Sequence, residues 1–83
     1  MPATPNVDHD RLLRELGDRV RKHRLELGMS QEALGERAGL HRNYVGGIEQ
    51  GKRNVAAVNL VKLSLALGLD PGGLLARIPY RRR

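Results

Sequence analysis

Four glycines, Gly28, Gly39, Gly51 and Gly68, each close a run whose apolar residues recur at helical spacing. Glycine enters the left-handed region without a Cβ penalty and is the usual stop of an α-helix. The punctuation therefore allows only short helices, and no stretch alternates apolar with polar residues as a half-buried strand would. The first helix is expected over about 8–27, with Asp8 as its cap and Leu13, Leu16, Val20 and Leu27 on one stripe. Ser30 caps a second, ended by Gly39 after two turns, and a third covers about 41–50 with Val45 and Ile48 inward. A fourth is expected over about 57–67, with Leu60, Leu63 and Leu67 inward. A short fifth would start from Asp70-Pro71, a cap followed by proline at the first helical position, and present Leu74 and Leu75. The fold class is all-α, a compact five-helix domain.

The chain has 83 residues, so it forms one domain and buries only about 60% of its unfolded surface. Residues 1–7 are read as a flexible arm, 8–76 as the domain and 77–83 as a basic tail. With no cysteine there is neither a disulfide framework nor a thiolate metal site, and His9, His23 and His41 lack the spacing of a metal pair. No nucleophile–base pair, paired carboxylates or phosphate loop is visible, so no enzyme activity, cofactor or small-molecule ligand is expected. No apolar run reaches membrane-span length and no signal-peptide pattern opens the sequence, which reads as cytoplasmic with no membrane partner. The net charge of +6 points to a polyanion, yet Arg77, Arg81, Arg82 and Arg83 supply four of those charges. The rest of the chain carries only +2, and the alternative reading of the tail is a solvated solubility device.

The informative segment is 31–49. Gly35 is small where the second helix must pass the third, Gly39 allows a sharp turn, and Val45 and Ile48 lock the pair together. Those are the requirements of a helix-turn-helix, whose second helix is held rigidly enough to enter a DNA major groove. The run Met29-Ser30-Gln31-Glu32-Ala33-Leu34, then Ala38-Gly39-Leu40, Tyr44-Val45, Ile48-Glu49, Gly51-Lys52-Arg53-Asn54 and Ala66-Leu67-Gly68, resembles the Cro/repressor-type (Xre) helix-turn-helix domain over about 13–75. Within that family, the stretch from Arg42 through Glu49 followed by Arg53-Asn54 looks most like the small controllers of restriction–modification systems.

The resemblance implies a lambda-repressor-like fold and a role for each matching residue. Gln31 would hold a DNA phosphate, Arg42, Asn43 and Tyr44 would face base edges and nearby phosphates, and Lys52, Arg53 and Asn54 would grip the backbone. Arginine suits guanine and asparagine suits adenine, each bidentate. Tyr44 is equally well read as half-buried packing, and the alternative for Gln31 is a simple helix-start residue. Arg24 and Glu49 would form a buried pair tying the first helix to the third. Three departures stand out: Gly47 replaces a frequent base-reading position, His41 stands at the usual Ser/Thr cap, and Ala56 leaves the fourth helix without a hydroxyl cap.

The fourth helix carries a second apolar stripe, Val58, Val61 and Leu65, where a monomer would place polar residues. The same helix of a second copy, assisted by Leu74 and Leu75, would cover it as an isologous homodimer; the alternative is that the fifth helix folds over it. The expected function is a sequence-specific regulator that binds double-stranded DNA at a palindromic operator. The competing class is a protein-interaction adaptor or antitoxin-like module on the same fold.

Overall fold

The computed structural model describes residues 4–82, in which four helices follow one another: α1 (His9–Glu26), α2 (Gln31–Ala38), α3 (Arg42–Glu49) and α4 (Ala57–Ala66). Residues 1–3 of the expected arm and Arg83 of the tail lie outside the described residues. Asp8 caps α1 by accepting the Arg11 N–H at 3.1 Å, and Ser30 caps α2 by accepting that of Ala33 at 3.0 Å. The four punctuating glycines take φ of 70–75°. At Gly39 this conformation turns the chain directly into α3, and the Leu40 N–H bonds back to the Gly35 carbonyl at 2.7 Å. Gly35 itself is packed against the Leu40 carbonyl so closely that a Cβ would overlap it.

One core gathers Leu16 and Val20 of α1, Leu34 and Ala38 of α2, Val45 and Ile48 of α3, and Leu63, Ala66 and Leu67 at the end of α4. Leu74, from beyond the last helix, completes it. Ser64 is buried among them and donates its hydroxyl to the Leu60 carbonyl, which removes the cost of an unpaired polar group. Leu27 departs from the expected inner stripe: it is 49% exposed, because it is the C-cap residue and the helix has already ended at Glu26.

Among the described residues there are four helices and not five. Residues 71–77 form successive turns, closed by bonds from Gly73 N–H to the Asp70 carbonyl, Leu75 N–H to Gly72 and Ile78 N–H to Leu75. Each spans three residues, one fewer than an α-helix needs. The Asp-Pro start is followed at once by Gly72-Gly73, two residues that lose most backbone entropy in a helix. The place of Leu74 is corrected too. Instead of helping to cover the α4 stripe from outside, it is fully buried in the chain's own core.

Candidate nucleic-acid interface

Alpha2 and α3 pack on one another across the Gly39 turn, and α1 holds the far end of α3. That second packing depends on Gly17, whose missing side chain lets α1 rest on the Ile48 and Glu49 carbonyls. Beside it lies the one nearly buried ion pair among the described residues. Arg24 Nε and Nη2 donate to the two Glu49 carboxylate oxygens at 2.7 and 2.9 Å, and Nη1 donates to the Met29 carbonyl at 2.8 Å. The side chains are only 10% and 4% exposed. Hydrogen bonding to Glu49 raises the Arg24 pKa above its ordinary value, against burial, which lowers it. The guanidinium therefore stays charged, and the pair fixes the angle at which α3 leaves the body.

Gln31, the first residue of α2, turns toward this pair and donates from Nε2 to Glu49 Oε1 at 3.3 Å. It lies over Gly46, where a Cβ would stand 3.3 Å from its Oε1. Arg42 and Asn43 open α3 and are exposed. Arg42 reaches across the turn to Glu32 of α2 at 3.6 Å, a surface pair weak enough for a phosphate or base to displace. His41 caps α3 through Nδ1, which accepts the Asn43 N–H at 3.0 Å. Ala56 gives α4 no side-chain cap.

Tyr44 is half-buried against the core, and its hydroxyl accepts from Asn59 Nδ2 of α4 at 3.3 Å. The loop after α3 then folds back over α3. The Arg53 guanidinium sits 5.8 Å from the centre of the Tyr44 ring, within cation–π range, and its stem crosses Gly47. A Cβ at Gly47 would lie 3.1 Å from Arg53 Cγ and 3.2 Å from Nε. The position that lacks a side chain is thus occupied by one arriving from the loop. Lys52 is exposed next to it, and Asn54 is set farther off, in a depression shared with Val7, His9, Leu12 and Leu13. The structure therefore joins Gln31 to α3 and Arg53 to Tyr44, leaves Arg42 and Asn43 projecting, and carries Asn54 to the start of α1. Sequence reasoning missed Gly17 and Asn59, because both matter only through partners distant in the chain.

On α4, Val58, Val61 and Leu65 are 66%, 38% and 57% exposed, and Leu75 is 40% exposed. The segment after α4 does not fold over this stripe. No helix among the described residues is long and apolar enough to cross a membrane.

A helix-turn-helix family model matches residues 20–74, from the middle of α1 to Leu74. The control protein C.BamHI of Bacillus amyloliquefaciens is 48% identical over 60 residues, covering 71% of this chain and 74% of the relative. The crystal structure of the restriction–modification controller protein C.AhdI from Aeromonas hydrophila superimposes with a TM-score of 0.72 at 48% identity, over 75% of this chain and 94% of that one. SinR, a master regulator for biofilm formation solved in complex with DNA, gives a TM-score of 0.68 at 33% identity, over 72% and 97%.

Proposed function

Because the chain belongs to the helix-turn-helix family of Xre-type DNA-binding transcription regulators, we propose that it binds a palindromic operator in double-stranded DNA as a homodimer and regulates transcription by occupying a promoter, as a restriction–modification controller. The observation that carries this reading is the start of α3. Arg42 and Asn43 project from a helix end that α2, the Gly39 turn and the Arg24–Glu49 pair hold rigidly. In this reading α3 enters the major groove, with Arg42 and Asn43 against base edges. Gln31, Lys52, Arg53 and Asn54 hold the phosphates on either side, and Tyr44 supports Arg53 while presenting its ring edge to the strand. The exposed stripe of Val58, Val61 and Leu65, with Leu75, is the self-complementary face of the dimer, which would set the two α3 helices about 34 Å apart.

Selection of bound duplexes from a random pool tests the proposal. The expected product is a consensus of two inverted half-sites one helical turn apart. A chain that enriches no sequence and shifts no random duplex at low salt is an adaptor on the same fold, and the proposal fails.

A further inference from the structure

We propose that the C-terminal segment 78–82 is a second docking site for the sugar–phosphate backbone of the bound duplex, continuous with the 51–54 loop. This rests on the DNA-binding reading above and extends it to a part of the chain that the family match, ending at Leu74, does not include.

The segment is not a loose arm. Arg19 Nη1 donates to the Leu74 and Ala76 carbonyls at 3.2 and 2.6 Å. Arg77 adopts a left-handed φ of 57° and turns the chain, and Ile78 packs against the core. The Asp8 N–H then donates to the Tyr80 carbonyl at 2.7 Å, and Arg11 Nη1 to the Arg81 carbonyl at 2.8 Å. These bonds from α1 and its cap go to main-chain carbonyls. They fix the backbone along the start of α1 and leave the side chains of Arg81 and Arg82 exposed. Arg81 lies against its neighbour Tyr80, 5.6 Å from the ring centre, with Nε donating to the hydroxyl at 3.3 Å.

The docked tail reaches toward the loop. Arg82 lines a depression on α1 together with Arg11, Arg14, Asp8, Glu15 and Asp18. Arg14 in turn packs its backbone on Gly51, where the 51–54 loop begins. Arg14 thus adjoins both the start of the loop that carries Lys52 and Arg53 and the depression that Arg82 lines. Among the described residues no carboxylate lies within 4.0 Å of the guanidinium nitrogens of Arg14, Arg81 or Arg82, although three acids line the same depression. The tail arginines supply four of the chain's net six positive charges, and each phosphate that Arg81 or Arg82 neutralises adds to the salt-dependent attraction for a polyanion. Arg81 and Arg82 are carried on a backbone fastened to α1 and its cap instead of trailing in solvent.

The test compares the parent with R81A/R82A, which keeps every carbonyl that fastens the segment, and with R81K/R82K, which also keeps the charge. Affinity for a random-sequence duplex and for the duplex selected from the pool is measured across a salt series. The double alanine variant is expected to lose affinity by the same factor on both duplexes, and its log–log salt slope should flatten by about 0.9 for each phosphate it no longer neutralises. The double lysine variant should retain the parent's slope. A parent that binds but whose slope the alanine variant keeps would overturn this assignment alone. A loss confined to the selected duplex would also overturn it, because it would make the arginines base readers. A parent that binds neither duplex would overturn the assignment together with the regulatory reading.

Discussion

Both oxygens of the Glu49 carboxylate accept from Arg24, and one also accepts from Gln31, so a charge in the interior of a small domain is left with no unmet partner. Removing the acid and keeping the base reverses that balance. Glu49→Ala should cost about 3–5 kcal/mol by stranding the guanidinium; thermal melting checks this, and a midpoint within a degree or two of the parent's would refute it. Arg42 makes the opposite case, since its pair with Glu32 is exposed and dispensable. Arg42→Ala should leave melting unchanged, weaken operator binding by about 1–3 kcal/mol and relax preference at one base pair per half-site. Equal weakening on operator and scrambled duplex would demote Arg42 to a phosphate ligand. At Gly47 the two properties should move in opposite directions. Gly47→Ala gains up to about 1 kcal/mol of helix propensity, yet its Cβ displaces the Arg53 stem. A higher melting temperature with lower DNA affinity, read by fluorescence anisotropy, is expected; unchanged affinity would show that the resting place of Arg53 is irrelevant to binding.

Alpha4 is the element whose two sides do different work. Leu63 and Ala66 fill the core, while Val58, Val61 and Leu65 lie open. Leu65→Glu should therefore leave the fold of each chain intact and abolish the proposed dimer, which sedimentation at micromolar concentration decides. A parent already monomeric there would refute the apolar stripe as an interface. At this scale the sequence is most legible where a rule is local. A helix stop needs one left-handed residue, and each of the four glycines has that conformation. The same local logic misleads at the fifth helix: Asp70-Pro71 announces a helix start, but Gly72-Gly73 denies it a first turn. Close approach between elements leaves no such mark. Gly17 looks like any weak helix former until α3 is laid across it, and nothing near Gly47 in the chain announces that Arg53 will return to cover it. The candidate site is thus legible as a set of residues in order along α2, α3 and the loop, while Tyr44–Arg53 and Tyr44–Asn59 require the fold.

The whole molecule depends on its last buried side chain. Four helices alone do not close the core; Leu74, arriving after seven residues without helix, completes it. Leu74→Ala should cost about 2–5 kcal/mol, much of the stability of a domain this size. Chemical denaturation checks it, and a loss below about 1 kcal/mol would mean that the segment closes over nothing essential. The bond from the Asp8 N–H to the Tyr80 carbonyl has a topological consequence of its own. Where the folded body starts and where it finishes are the same corner, so the backbone is nearly a closed loop. A short peptide tether could complete the ring, and new ends could be opened at an exposed turn elsewhere without stretching any helix. Two copies fused in tandem face the reverse geometry: their linker must travel from that corner of one copy to the same corner of the next, and its length becomes a ruler for the distance between them.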